Sequence, residues 1–345
     1  MIFEVVALEE NEKWDGIVKT FSKYDIYWLS GYVKAFELHG DGIPLLFYYK
    51  SDSVRGINVV MKRDISDCLN FHNVIPRNQF FDFSSPYGYG GWLIEGDDPD
   101  KLFKKYELWC RNNNIICEFV RFHPVIENHL YCESQYEVVP LGNTIAMDLS
   151  TRENIWTNLI SKNRNMIRKA KKNGVKVYNG RNPMLFGEFQ KIYNMTMDKD
   201  NAESYYYFKN EFYSSILNDL PYNTQIFYAE YEGKIIAAAI MLAANGKMNY
   251  HLSGSLKEFS SLAATNLILY EAANWGTENG YRTLYLGGGV GSGEDSLYKF
   301  KKAFYRKDDD KRFYIGKKIF NQNKYAELVQ TRGNVDSNFF PKYRA

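Results

Sequence analysis

Residues 222–304 read YNTQIFYAEYEGKIIAAAIMLAANGKMNYHLSGSLKEFSSLAATNLILYEAANWGTENGYRTLYLGGGVGSGEDSLYKFKKAF. Three β-rich runs, 222–231, 234–242 and 248–253, are joined by the hairpin pairs Glu232-Gly233 and Asn245-Gly246. A helical run, 260–277, then stops at Asn279-Gly280, and the apolar strand 283–286, the turn Gly287-Gly288-Gly289 and the basic helix 295–304 follow. This order predicts an α/β fold of the kind used for acyl transfer.

The composition indicates a folded protein whose charge acts only locally. The chain has 345 residues, of which 45% are hydrophobic and 17% aromatic, so it is long enough for two domains with separate cores. The net charge is only +2, so affinity for a polyanion must come from local clusters of lysine and arginine. The sequence lacks the H-E-x-x-H, P-loop and G-x-S-x-G motifs, which argues against a zinc protease, an NTPase and an α/β-hydrolase.

Cysteine spacing and the N-terminal composition predict a cytoplasmic protein. The four cysteines lie far apart without a C-x-x-C pair, which favours reduced, buried thiols over disulfides or a zinc site. Residues 1–15 include five acidic residues and lack the basic start and apolar run of a secretory signal. No segment approaches ~18 consecutive apolar residues. The aromatic surplus leaves room for peripheral docking at the inner face of the membrane.

The first half of the chain repeats the plan of the second half in weaker form. Strand-like runs at 43–50 and 56–61 precede a helical run at 98–113 and a buried strand at 115–122. Between them, Pro86-Tyr87-Gly88-Tyr89-Gly90-Gly91 predicts a tight turn, a bulge or a close approach of substrate to backbone. The recurrence at about 180 residues predicts a duplicated domain, joined between residues 140 and 148.

A basic helix is predicted at the start of the second half. Ser150-Thr151-Arg152-Glu153 has the form of a capping box, and Asn173-Gly174 is a helix stop. Arg164 and Arg168, one turn apart, are the candidates for binding phosphate or RNA, and a solvated surface is the alternative. The positions expected to pack inward are Trp156, Leu159, Ile160, Asn163, Ile167 and Ala170. Two more helices, 184–197 and 211–220, are predicted before the meander.

Short motifs follow one another along nearly the whole chain. They are WLSGYVK at 28–34, PYGYGG at 86–91, VRFHP at 120–124, DLS at 148–150, RNMIRKA at 164–170 with Gly174-Val175, and the glycine turn 287–289 followed by LYKFK at 297–301. In this order they resemble the FemABX family of peptidoglycan-bridge aminoacyltransferases and the wider FemAB-like and BioF2-like acetyltransferase group. The glycine turn with its Phe-Lys signature is the most specific of these motifs.

The resemblance implies an α/β (α+β) architecture of two tandem GNAT-like domains, each with a mixed, mainly antiparallel sheet flanked by helices. The expected bounds are 1–147 for the first domain and 148–311 for the second. A C-terminal tail, 312–345, is expected to pack back on the first domain. The chain lacks the long heptad hairpin of the staphylococcal members, so it resembles the smaller ones.

The resemblance also implies transfer of an amino acid from aminoacyl-tRNA, as co-substrate, to an amine on the stem peptide of a peptidoglycan precursor, without a metal or other cofactor. The lysine of the Phe-Lys signature maps to Lys301, which is expected in the active-site channel beside Gly287-Gly288-Gly289. Lys301 would stabilise the oxyanion or hold a substrate phosphate or carboxylate. Lys34 and Lys209 are implied as contacts of the precursor diphosphate, although an arginine is more usual at the second position.

Two alternative functions stay open at this point. An acyl-CoA-dependent N-acyltransferase acting on an amino sugar or a surface polysaccharide precursor would use acetyl-CoA and need a glycine-rich pyrophosphate loop. The corresponding segment, Ser253 to Ser260, has one glycine, which favours aminoacyl-tRNA as donor. The other alternative is a non-catalytic module that binds the precursor or RNA. His123 and His251 lack a partner at ligand or triad spacing and are expected to be structural.

Overall fold

The computed structural model describes residues 1–333 and 337–345. The chain forms two compact units, one of residues 1–141 with 313–345 and the other of residues 142–312. We call them the first and the second unit. None of the described helices is both long enough and apolar enough to cross a membrane.

Most of the helices and strands belong to one unit. In the first unit they are β1 (Ile2–Ala7), α1 (Asn11–Val18), α2 (Ser30–His39), β2 (Ile43–Lys50), β3 (Val54–Asp64), β4 (Phe81–Ser84), β5 (Leu93–Gly96), α3 (Asp100–Asn112) and β6 (Ile115–Arg121). Strand β7 (Glu137–Asp148) leads into the second unit, which contains α4 (Arg152–Asn158), α5 (Ser161–Lys172), β8 (Lys176–Gly180), α6 (Pro183–Lys199), α7 (Asn210–Asp219), β9 (Thr224–Tyr231), β10 (Lys234–Ala244), β11 (Lys247–Ser255), α8 (Ala264–Glu278), β12 (Thr283–Gly287) and α9 (Ser296–Lys302). Strand β13 (Lys311–Ile319) leads back to the first unit, which ends with α10 (Gln322–Arg332).

The second unit has the meander that its turn residues predict. Its strand order is β8-β9-β10-β11-β12-β7, antiparallel except for the parallel pair β11 and β12. Glu232-Gly233 and Asn245-Gly246 all adopt positive φ, as two-residue hairpins require. Helix α8 crosses between the parallel strands and contributes Leu267, Ile268 and Leu269 to the core. The mixed, mainly antiparallel sheet of the predicted fold class is therefore confirmed.

The first unit has the same sheet order with different residues. Its strands run β1-β2-β3-β4-β6-β13, with β5 paired to β3, and β4 and β6 form the parallel pair. The sixth strand of each sheet comes from an exchange along the chain. Strand β7 follows β6 in sequence yet pairs with β12 of the second unit, and β13 follows α9 yet pairs with β6 of the first. Each half therefore completes its sheet with a strand that follows the other half.

A buried carboxylate holds the C-terminal segment in the first unit. Asp82 is fully buried, and its oxygens accept hydrogen bonds from Arg63 Nε at 2.7 Å, Arg344 Nε at 2.6 Å and the Tyr343 hydroxyl at 2.8 Å. Burial raises the pKa of Asp82, but the two guanidinium groups together outweigh it and keep that pKa below its usual range. The C-terminal segment thus packs on the unit that contains residues 1–141.

The basic helix expected at residues 150–172 is two helices. Helix α4 ends at Asn158, and α5 begins at Ser161, because Leu159 and Ile160 are extended. Thr151 caps α4 by accepting a hydrogen bond from the Asn154 amide at 3.0 Å, so the expected capping by Ser150 is wrong. Leu159 is buried as predicted, while Ile160 at the break is 36% exposed.

Candidate functional site

The glycine turn and Lys301 lie together at the carboxyl end of β12. The Lys301 ammonium donates a hydrogen bond of 2.7 Å to the carbonyl oxygen of Gly288. A Cβ atom on Gly287, whose φ is +79°, would lie 3.3 Å from the Lys301 Nζ. The turn is half-exposed, so this cation is reachable from solvent. The structure thus brings together the glycine turn and Lys301.

The turn is closed by Asp295, a residue that the sequence argument did not single out. One carboxylate oxygen accepts from the Tyr298 amide at 2.8 Å and the other accepts from the Val290 amide at 3.1 Å. These backbone hydrogen bonds lower the pKa of Asp295. A carboxylate that is ionised and saturated in this way is a helix cap and is unsuited to act as a base. Its position directly before α9 was the available signal.

Gly289 is required for this closure. An added Cβ atom there would lie 2.3 Å from the Asp295 Oδ1 and 2.3 Å from the Gly293 carbonyl oxygen, much closer than atoms can approach. Gly288 has a milder restriction, since its Cβ would lie 2.9 Å from the Asn143 carbonyl oxygen. The predicted glycines therefore serve the geometry that aims Lys301 at the turn.

Lys301 has an unusual charge state. Burial lowers its pKa from 10.5 to about 8, although the Asp295 carboxylate acts in the opposite direction. An ammonium with this pKa is mostly charged at neutral pH but releases its proton far more readily than a surface lysine. It can stabilise developing negative charge in a low-dielectric position, where such an interaction is strongest.

The neighbouring cations of α9 have other surroundings. Lys302 forms an ion pair with Asp310 at 2.5 Å and donates to the Lys307 carbonyl at 2.6 Å, so it holds the loop after the helix. Tyr298 is buried and donates to the same Asp310 at 2.5 Å. Lys299 is exposed. Lys301 is therefore the lysine of this helix that points to the glycine turn.

Arg164 and Arg168 are both engaged by neighbouring protein groups. Arg164 donates to the Leu159 carbonyl at 2.7 Å and to the Ser161 hydroxyl at 3.2 Å, which closes the break between α4 and α5. The Arg168 guanidinium lies 5.2 Å from the centre of the Trp156 ring and bonds the Asn165 side chain at 3.3 Å. Their proposed substrate contacts stay predictions, and the structure gives both residues a role in packing.

Three other lysines of α5 are better placed to meet a polyanion. Lys162, Lys169 and Lys172 are exposed, and within the described part of the chain their ammonium groups have no ion pair or hydrogen bond. Their spacings of seven and three residues put them on one helix face over roughly 15 Å. We call these three residues the α5 lysine stripe.

The two remaining predicted cations lie elsewhere. Lys34 is half-buried in the middle of α2, in the first unit. Lys209 is exposed at the N-cap of α7, in the second unit, and its side chain does not cap that helix. Neither belongs to the group formed by the glycine turn and Lys301, and their contacts with a precursor stay predictions.

The histidines have local explanations, but one expectation was wrong. His123 does have a partner, since its Nε2 lies 3.1 Å from the Asp25 Oδ2 and both side chains are fully buried. Its Nδ1 accepts from the Val125 and Ile126 amides, so the proton lies on Nε2. A separation of 98 residues hides this pair in the sequence. Burial lowers the pKa of His251 to about 3, which keeps it neutral.

The segment that would replace a CoA loop is shaped by helix packing. A Cβ atom on Gly254 would lie 2.8 Å from the Ile192 carbonyl oxygen and 2.8 Å from the Tyr193 amide, both in α6. The Ser255 amide donates to the Thr196 hydroxyl of the same helix at 3.0 Å. The single glycine of the segment is thus explained by contact with α6, without a phosphate ligand.

Comparison with known proteins agrees with this geometry. A family model for an acetyltransferase (GNAT) domain matches residues 161–302, which include the α5 lysine stripe, the glycine turn and Lys301. A UDP-N-acetylmuramoylpentapeptide-lysine N(6)-alanyltransferase of Weissella viridescens is 27% identical over 225 residues, or 61% of this chain. The match spans 65% of that relative's length, slightly less than two thirds.

Solved structures share the fold over nearly the whole chain. The crystal structure of FemX superposes with a TM-score of 0.68 at 13% identity, covering 95% of this chain and 99% of FemX. The structure of L-PGS from Bacillus licheniformis has a TM-score of 0.56 at 15% identity, covering 93% and 96%. Together with the GNAT match and the alanyltransferase relative, these likenesses show that the chain belongs to the FemABX-like family of the GNAT superfamily.

Proposed function

We propose that the protein transfers an amino acid from aminoacyl-tRNA to an amine on the stem peptide of a peptidoglycan precursor. The observation that carries this proposal is the half-buried Lys301, held by the Gly288 carbonyl at the end of β12. The Weissella relative, whose name describes alanine transfer to the lysine of a muramyl pentapeptide, supports the choice of substrates. Charged tRNA places the reaction in the cytoplasm, and a lipid-linked precursor would bring it to the inner face of the membrane.

The reaction needs little covalent help from the protein. The neutral acceptor amine attacks the ester carbonyl, a C–N bond forms, and the carbonyl oxygen becomes negative. The C–O bond to the tRNA ribose then breaks, the ribose oxygen takes up a proton, and the nitrogen releases one. Alignment of the two substrates supplies much of the rate, up to about 7–11 kcal/mol in favourable cases.

In this scheme Lys301 acts through its charge. Its ammonium stabilises the oxyanion of the tetrahedral intermediate, and the Gly288 carbonyl fixes its direction before substrate arrives. A pKa of about 8 keeps the charge at neutral pH. Asp295 contributes by holding the turn and the helix in register.

The α5 lysine stripe would hold the RNA part of the donor. Each ammonium that neutralises a phosphate releases counterions, so the contact makes binding depend on salt. The stripe carries no large apolar side chain, and there is no acidic residue between Glu153 and Glu188, which fits a phosphate backbone better than a lipid surface.

Intact-mass analysis of the acceptor tests the proposal. A muramyl-pentapeptide nucleotide is incubated with the purified protein and a mixed pool of charged tRNAs, and in parallel with acetyl-CoA. We expect the mass of one amino-acid residue to be added in the tRNA tube and to be lost after RNase treatment. An acceptor of unchanged mass in that tube would contradict the proposed reaction.

A second candidate is acyl transfer from CoA, which the GNAT-domain match favours. In the same experiment it predicts an added acyl mass in the acetyl-CoA tube, with an amino sugar as a further acceptor to be tried. The packing of Gly254 against α6 makes this candidate the weaker one, because the glycine-rich loop that would bind the CoA pyrophosphate is replaced there.

A further inference from the structure

Arg121, the last residue of β6 in the first unit, is held in a fixed orientation. Its Nε donates a hydrogen bond of 2.9 Å to the carbonyl oxygen of Gly88. Its guanidinium carbon lies 4.9 Å from the centre of the Phe313 ring and 5.9 Å from that of Tyr89, and both rings are buried. One hydrogen bond and two aromatic faces therefore fix the plane of the guanidinium.

The charge of Arg121 has no acidic partner among the described residues. Elsewhere in the first unit, Arg55 pairs with Glu95, and Arg63 and Arg344 pair with Asp82. The two terminal nitrogens of Arg121 accept no such pairing, and they are not among the buried polar atoms that lack a partner. The side chain as a whole is half-buried, so these nitrogens face solvent from a clamped position.

We infer that Arg121 and the turn of residues 86–91 form a binding site for an oxyanion, either a phosphate or a carboxylate. A guanidinium offers two parallel N–H donors that match the two oxygens of such a group. Because its orientation is fixed before binding, the ligand does not have to order the side chain. A structural arginine of this unit would instead have a carboxylate in that position, as the other three do.

The topology of the two sheets supports this assignment. Strand β6 is the fifth in its sheet, as β12 is in the sheet of the second unit. At the carboxyl end of each strand, a half-buried cation donates to a glycine carbonyl: Arg121 to Gly88, and Lys301 to Gly288. Both halves of the duplicated fold thus keep a cation at the corresponding place. The natural ligand, which rests on the proposed function, is an anionic group of the precursor, either its diphosphate or its peptide carboxylate.

The test is a calorimetric titration of the full-length protein with two probes, inorganic pyrophosphate and an N-acetylated D-alanyl-D-alanine with a free carboxylate. We expect saturable binding of at least one probe, and the probe that binds identifies the source of the oxyanion. Arg121→Gln should weaken that binding roughly ten- to hundredfold. Arg121→Lys, which keeps the charge but loses the paired donors, should weaken it less.

Arg77→Gln is the matched control, because Arg77 is an exposed arginine of the same unit, and it should leave the affinity unchanged. Thermal unfolding monitors the fold of each variant, and if Arg121→Gln does not fold, the comparison rests on Arg121→Lys. Absence of saturable binding by both probes, or equal affinity in the wild type and in the folded Arg121 variants, would overturn the inference. Amino-acid transfer is assayed separately, so its absence in a protein that binds the probe counts against the proposed function alone.

Discussion

Replacing Lys301 by methionine should abolish transfer and yet stabilise the folded protein at neutral pH. Methionine keeps the unbranched stem of the side chain and removes the charge. The native fold holds this ammonium in a position that lowers its pKa from 10.5 to about 8, so the folded state is less favourable for the charged form than the unfolded state is. Removing the charge removes that cost.

The magnitude follows from the pKa and from one hydrogen bond. The drop to about 8 corresponds to roughly 3 kcal/mol of unfavourable free energy at pH 7. Loss of the 2.7 Å hydrogen bond to the Gly288 carbonyl offsets about 1–1.5 kcal/mol of the gain. We therefore expect Lys301→Met to raise the free energy of unfolding by about 1–2 kcal/mol at pH 7.

The pH dependence identifies the cause. Between pH 8 and 10.5 the unfolded wild type still binds the proton that the folded protein has released, so wild-type stability rises with pH across that window. The advantage of the variant should shrink over this range and reverse near its upper end, where only the lost hydrogen bond is felt. Other groups titrate there too, but they are common to both proteins and cancel in the difference.

Urea denaturation of both proteins at several pH values between 7 and 10.5 measures this difference. Lys299→Met serves as the control, because Lys299 is an exposed lysine of the same helix and should give a small difference that does not vary with pH. A Lys301→Met variant less stable than the wild type at pH 7, or a difference constant across the range, would refute the reasoning about the buried ammonium. A variant that folds and retains full turnover would remove Lys301 from the mechanism.

Three further predictions concern the turn, the C-terminal anchor and the RNA contact. Gly289→Ala forces a Cβ atom against the Asp295 carboxylate and should cost about 1–3 kcal/mol by urea denaturation together with most of the transfer activity, whereas Gly187→Ala, with open space around it, should keep both. Asp82→Asn breaks two buried ion pairs and should cost about 3–5 kcal/mol at pH 7; because the folded pKa is lowered, this penalty should fade as the pH falls below about 4, and a penalty that persists there would contradict it. Changing the α5 lysine stripe to glutamine should reduce the slope of log Kd for tRNA against log salt by about 2–3, measured by fluorescence anisotropy, and an equal loss on changing exposed lysines of α3 would mean that the stripe has no special part.

The sequence predicts those parts of the fold that depend on neighbouring residues. Asn245-Gly246 specifies a hairpin because both positions need positive φ, and the structure has φ of +47° and +74° there. The same holds for the helix stop at Gly174, whose φ is +85°. Strand bounds are close for the same reason: the run predicted at 43–50 is β2 itself.

Long-range choices were not accessible in this way. The destination of β7 depends on which unpaired sheet edge it meets, and nothing in residues 137–148 distinguishes the edge of β6 from that of β12. The break after Asn158 was missed because Leu159 and Ile160 fit a helical pattern as well as they fit an extended link. The pair of Asp25 with His123 could not be read from two residues 98 positions apart.

The two cations that face glycine carbonyls show why the site was only half predictable. Lys301 could be found because its motif is contiguous, with the glycine turn, the helix cap and the lysine all within 15 residues. Its charge state could not, since a pKa of about 8 arises from burial in the folded unit. Arg121 reaches the corresponding place from the end of a strand, whereas Lys301 reaches it from the following helix, so no residue pattern is shared between the halves. A duplicated fold can therefore retain a cation at the same edge of its sheet while the sequences that supply it diverge, because what the ligand meets is the position of the charge.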